Sequence, residues 1–137
     1  MKVLCFYTSE FSFETGEASN EKVAEKAESA KYQNCITAFI QAEESDEEYD
    51  LKSREKKLAN HLKWVARNNK TKTVVLHSFA HLSSSKASME FTKKLLNATQ
   101  KRLKNGDYKT YQTPFGYFLN FNMMAPGFSM ARIFAEL

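Results

Sequence analysis

Glycine, proline and cysteine are all scarce in this 137-residue sequence, with 4 Gly, 2 Pro and 2 Cys. So few glycines and prolines leave no stretch with the composition of a linker, and the length suits one domain with its own core. Two thiols are too few for a disulfide-stapled scaffold. With three scattered histidines and no Cys-x-x-Cys pair, the residues give little support to a metal site. Cys5 and Cys35 each sit in an apolar run and are expected to be buried and reduced, as suits the cytosol. No apolar run nears the ~20 residues of a membrane helix. The opening MKVLCFYTSE turns polar by Thr8 and lacks the apolar core of a secretory signal. The expectation is a cytoplasmic protein with no metal, no cofactor and no membrane contact.

What is present is charge, unevenly divided. Residues 1–50 hold 4 Lys against 12 Asp and Glu, a net −8; residues 51–137 hold 16 Lys and Arg against 4 acids, a net +12. Such a split points to a basic face that attracts phosphates. Lys93, Lys94, Lys101 and Arg102 fall on one predicted helix with few acids to pair with, and are the candidate nucleic-acid contacts. The acidic run EESDEEYD (43–50) is expected to be a solvated loop.

Periodicity supplies the elements. Lys2–Tyr7 has the apolar density of a buried strand, and Phe11–Glu14 alternates like a second. Residues 16–33 are charged and alanine-rich, a loop or marginal helix. Cys35–Ala42 is a third strand. Asp50 or Ser53 can cap a helix over 51–69, where Leu51, Leu58, Leu62 and Val65 form one stripe and Trp64 is expected to join the core. Val74–Leu76 centres a fourth strand. A helix over 86–104 follows, with Ala87, Phe91, Leu95 and Ala98 on one face, Leu96 and Leu103 beside it, and a stop at Asn105-Gly106. Tyr108–Thr113 and Tyr117–Met124 are extended, and the tail from Phe128 fits strand or helix. The order β-β-β-α-β-α-β-β predicts an α+β single domain: a mostly antiparallel or mixed sheet covered by two helices.

Between the fourth strand and the second helix lies HSFAHLSSSKAS (77–88). A serine there can cap the helix, or the helix N-terminus can hold an anion or a polarised carbonyl. Phe79-Ala80-His81-Leu82-Ser83-Ser84 and Pro114-Phe115-Gly116-Tyr117-Phe118 resemble two signature segments of the N-terminal editing domain of archaeal-type threonyl-tRNA synthetases. That domain is related in fold to D-aminoacyl-tRNA deacylases. KVLCFYTSEFSFE and ITAFIQAEESDE resemble the family's first hairpin and third strand, so the similarity covers nearly the whole chain.

The resemblance implies hydrolysis of seryl-tRNA mischarged on threonine tRNA. It implies a pocket for the aminoacyl group and terminal adenosine, formed by Ala42, Phe79, Ala80, His81, Phe115, Gly116, Tyr117 and Phe118. His81 faces the substrate and is the candidate catalytic residue. The implied partners are tRNA, the rest of an ATP-binding synthetase, and a second copy in a homodimer. The chain departs from the family at two positions. The family's lysine after the aromatic pair is Leu119 here, and the glutamate of its Gly-His-Pro-x-Ala-Glu run is Arg132. The family credits that pair with positioning water and ester. Glu136 can replace the acid only on a helical tail. Three readings follow: a deacylase; a non-catalytic tRNA- or nucleotide-binding or assembly module on the same fold; or a hydrolase using His81 or His77 as general base.

Overall fold

The computed structural model describes every residue except 23 and 27. Six strands and two helices are present among the described residues: β1 (Lys2–Ala18), β2 (Ala30–Gln41), α1 (Leu51–Asn68), β3 (Thr73–Ser78), α2 (Met89–Asn105), β4 (Lys109–Gln112), β5 (Tyr117–Met124) and β6 (Arg132–Glu136). The strands form one mixed sheet in the order β4-β3-β2-β1-β5, with β6 also paired to β1. β2–β3 and β3–β4 are parallel; every pairing of β1 is antiparallel. This is the α+β class expected. No described helix is long and apolar enough to cross a membrane.

The two expected strands at 2–7 and 11–14 are one 17-residue strand. It keeps a constant register against β2 from Lys2↔Gln41 to Phe13↔Ala30. The apparent break is a slip in side-chain alternation. Thr8 Oγ1 lies 3.1 Å from Cys35 Sγ, and Phe11, three residues on, packs in the same cluster as Cys35. A strand alternates faces at every residue, so one step is lost between them. Opposite this point Asn34 takes φ 52°, a left-handed conformation that asparagine tolerates. The hairpin is therefore β1–β2, joined by the 19–29 connection, in which no described residue is helical. The tail is a strand, so Glu136 pairs with Lys2 at 3.1 Å.

α1 buries Leu58, Leu62 and Val65 as the stripe predicts, with Ala59 and Ala66 beside them. Asp50 is its cap, accepting from the Lys52 N–H at 3.2 Å. Trp64 is not core: it is 42% exposed. α2 begins at Met89; it buries Leu95, Leu96 and Leu103, all expected on or beside the apolar face, together with Thr92 and Thr99, which rotate the face toward the Leu96 and Leu103 side. The rotation is possible because both threonines return their hydroxyls to the preceding turn, Thr92 to Ser88 O at 3.0 Å and Thr99 to Leu95 O at 2.7 Å. The helices close over Val3, Cys5, Ile36, Ala38, Ile40, Val74 and Leu76 of the sheet. The opposite face carries Phe39, which meets Phe6, His77, Phe79 and Phe121 edge-on.

The acidic run is largely exposed, as expected, but it is an ordered turn with one buried carboxylate. It is a 3-10 turn over Glu44–Glu48 with Asp46 buried. Asp46 pairs with Arg54 at 2.9 Å and with the Met1 ammonium at 3.1 Å, and Glu43 pairs with the same ammonium at 2.7 Å. The carboxylates are thus structural partners of cations that would otherwise be buried alone.

Candidate functional site

A cavity of about 430 Å³ opens where the C-terminal ends of β2 and β3 meet the serine-rich turn and the Pro-Phe-Gly segment. All eight expected pocket residues, Ala42, Phe79, Ala80, His81, Phe115, Gly116, Tyr117 and Phe118, line it. So do Leu119, Gln41, His77, Lys86 and Phe121. Phe79, Phe115, Tyr117, Phe118 and Phe121 put five aromatic rings in the lining, and no carboxylate is among the lining residues.

The serine turn is fixed from below by Gln41, which is only 3% exposed. Its side-chain oxygen accepts from the Leu82 and Ser83 N–H groups at 2.7 and 2.8 Å. Its amide donates to Ser83 O at 2.9 Å and Ser85 O at 3.0 Å. Ser83 Oγ donates to Glu43 at 2.7 Å. The ammonium and Ser83 hydrogen bonds together hold the Glu43 carboxyl down to about 2. The two adjacent N–H groups that could receive an oxyanion are therefore already engaged by Gln41.

The helix N-terminus is partly occupied. Ser88, rather than a residue of the serine run, caps α2 by accepting from the Phe91 N–H at 3.1 Å. Glu47 accepts from the Ser88 N–H at 3.0 Å, so a protein carboxylate already fills the place considered for a ligand anion.

The opposite wall is strapped by the 19–25 segment. Gly116 O accepts from the Ser19 N–H at 2.8 Å, and Phe115 O accepts from the Glu25 N–H at 3.1 Å. The Glu25 carboxylate accepts from the Phe115 N–H at 2.9 Å, and Tyr117 OH donates to Glu25 O at 2.7 Å. Gly116 has φ 90°, and a Cβ there would stand 2.5 Å from Ala24 Cα. Only glycine meets both demands.

The two histidines differ. His77 is buried; its Nδ1 lies 2.8 Å from Thr113 Oγ1, and burial pushes it down to about 4. It is neutral at pH 7, with one ring nitrogen occupied. His81 is exposed and set edge-on to Phe79 at 5.1 Å. Their four-residue spacing would pair two ligands on a helix, but here one ends a strand and the other lies in a turn. Among the described residues, no group of three or more His, Cys, Asp or Glu is placed to hold a metal.

Leu119 lies in the cavity wall, where the resemblance expects a lysine. Arg132 does not line the cavity; its guanidinium donates to Pro126 O at 2.7 Å and closes the 125–132 turn. The α2 cations are more paired than the sequence suggests. Lys93 meets Glu25 at 3.7 Å, Lys94 meets Glu90 at 3.0 Å, and Arg102 meets Glu55 at 3.2 Å; Lys101 has no such partner among the described residues. Gln41 and Phe121 were missed because nothing local marks them. Gln41 is a single polar residue in an apolar strand, and its importance lies in a turn about forty residues away.

The family model for the archaea-specific editing domain of threonyl-tRNA synthetase matches residues 1–137. A threonine–tRNA ligase of Methanococcus maripaludis is 33% identical over 135 residues, and that of Methanocaldococcus jannaschii is 28% identical over 135. Each alignment covers 97% of this chain but 21% of the relative, so the chain spans about a fifth of their length. Among solved structures, the c-Myc DNA unwinding element binding protein is similar with a TM-score of 0.65 and 14% identity, covering 100% of this chain and 99% of that one. At that identity the likeness concerns the fold alone. The whole-chain match, and the meeting of both signature segments on one cavity, lead to the same place: this chain belongs to the archaea-specific editing-domain family of threonyl-tRNA synthetases.

Proposed function

We propose that the domain binds the aminoacylated 3′ end of tRNA in the 430 Å³ cavity, and that it hydrolyses the seryl ester slowly or not at all. One observation carries this: an aromatic-rich pocket with Leu119 in its wall and no carboxylate in its lining. Rings such as Phe118 and Tyr117 supply stacking surface for an adenine, worth about 1–3 kcal/mol per base. Hydrolysis asks for more. A positioned acid or base contributes roughly 10²–10⁴-fold, and His77, at about 4 with Nδ1 engaged, is a weak candidate. His81 is the remaining histidine of the lining and the residue we place nearest to catalysis.

Editing in this family has a physical motive. One methyl separates threonine from serine, and a pocket gains only about 1–3 kcal/mol from it. A domain that holds the seryl end without cleaving it fits a cytoplasmic partner of tRNA, of the rest of a synthetase, or of a second copy. Equilibrium binding of a non-hydrolysable 3′-seryl-amido-adenosine tests the pocket. We expect saturable binding that weakens about tenfold in Phe118→Ala; no binding, or binding indifferent to Phe118, would refute it.

A further inference from the structure

The α2 cations are largely paired, whereas most of those on α1 have no acidic partner among the described residues. Between residues 51 and 89 the sequence holds nine Lys and Arg against one carboxylate, Glu55, and Glu55 is committed to Arg102. Arg54 is buried with Asp46. Lys52, Lys56, Lys57, Arg67 and Lys70 are exposed, and none lies within ion-pair distance of an acid among the described residues.

Two of these cations share a helix face with Trp64. Lys57, Asn60, Trp64, Arg67 and Asn68 recur at three- and four-residue steps, one stripe of a helix, and all five are exposed. The indole of Trp64 lies at its centre. His61 stacks on it at 6.1 Å with planes 24° apart. Burial lowers the affinity of His61 for a proton, and its Nε2 has no hydrogen-bond partner among the described residues.

An exposed large aromatic sharing a helix face with two unpaired cations, Lys57 and Arg67, is costly for a merely solvated surface, since it leaves apolar area in water beside charges that no acid neutralises. Both costs are relieved by one kind of ligand, a polyanion with flat faces. We propose that the α1 stripe is an RNA-binding surface, in which Lys57 and Arg67 meet backbone phosphates and an unpaired base stacks on Trp64. This rests on the tRNA reading above and relocates the phosphate contacts from α2 to α1. Charge complementarity selects RNA over protein, because a protein partner would need a matching acidic patch with an aromatic-accepting pocket at its centre.

Trp64 is the chain's single tryptophan, so its emission reports this site alone. The experiment titrates the intact chain with an RNA hairpin bearing a single-stranded 3′ overhang, at several salt concentrations. Heparin, a polyanion without bases, is the control. We expect RNA to quench the emission, and log K to fall linearly with log salt at about −0.9 per duplex phosphate neutralised. By anisotropy of labelled RNA, Lys57→Glu/Arg67→Glu should weaken binding at least tenfold and reduce the slope. Trp64→Leu should weaken it about tenfold at unchanged slope. Lys93→Glu/Lys94→Glu should change it less than threefold. Equal quenching by heparin, or wild-type affinity in Trp64→Leu and the α1 charge reversal, would overturn the proposal; the second result would mark the stripe as solvated or protein-facing. The seryl-amido-adenosine assay reads the cavity separately. Binding there without RNA quenching sinks only the α1 surface, and the reverse pattern sinks only the pocket.

Discussion

The serine-rich wall of the cavity hangs on side chains buried beneath it, whereas the Pro-Phe-Gly wall is strapped from outside by residues that face solvent. Gln41 makes four hydrogen bonds to the first wall, and Glu43 adds a fifth through Ser83. Across the cavity Glu25 is exposed, and Gly116 lies so near Ala24 that no side chain could replace its hydrogen. Buried polar contacts strengthen with the low dielectric around them, and exposed ones are discounted by water. The serine wall should therefore be the rigid reference against which the other moves.

Removing the clamp should have the largest effect. Gln41→Leu leaves two N–H donors and two carbonyls of the turn without their partner. At about 1–3 kcal/mol for each buried group left unsatisfied, we expect a loss of about 3 kcal/mol or more in denaturant unfolding. Binding of the seryl-amido-adenosine should fall with it. An unchanged midpoint would mean that water replaces Gln41 freely.

Acid should act on the two walls in sequence. His77, tied to Thr113 of the second wall, takes up its proton at about 4 when folded, against about 6.5 when unfolded. Between those values the unfolded chain binds more protons, so stability falls as pH drops from 6.5 to 4, by up to about 3 kcal/mol. Glu43, held down to about 2, contributes stability above the ordinary carboxylate range that is lost as pH falls toward 2. His77→Gln should flatten the upper step and leave the lower one. A flat stability profile from pH 7 to 4 would contradict the buried, neutral state of His77.

Gly116→Ala should come next. Its Cβ meets backbone at 2.5 Å and its φ is 90°, so we expect about 1–3 kcal/mol of destabilisation and faster proteolysis within residues 19–29. Retention of the wild-type cleavage rate would show that the strap does not depend on this contact. Glu25→Ala should be the mildest, under about 1 kcal/mol in thermal unfolding. A larger loss would make the outer strap the equal of the inner clamp.

The sequence displayed the helices well because their signals are local. The leucine stripe of α1, the Asp50 cap and the Asn105-Gly106 stop each act within a few residues. The cavity was legible only through two motif segments, since nothing in the spacing of Phe79 and Tyr117 says that they converge. What stayed hidden depends on distant partners. The side-chain slip between Thr8 and Phe11 imitates a strand break until Asn34 is set opposite it. EESDEEYD reads as solvated and mostly is, but nothing within it marks Asp46 as the buried partner of Arg54 and the Met1 ammonium. Trp64 reads as core by composition, yet the buried face of α1 is already filled by Leu58, Leu62 and Val65.

The most direct test is single-turnover deacylation of seryl-tRNA by the wild-type chain, Leu119→Lys and Arg132→Glu. Leu119 lines the cavity and Arg132 does not. We therefore expect the wild type near the spontaneous rate, a measurable gain with Leu119→Lys, and none with Arg132→Glu alone. A fast wild-type reaction, 10²-fold or more above the spontaneous rate and lost in His81→Ala, would contradict the slow-or-inactive pocket and make His81 the base.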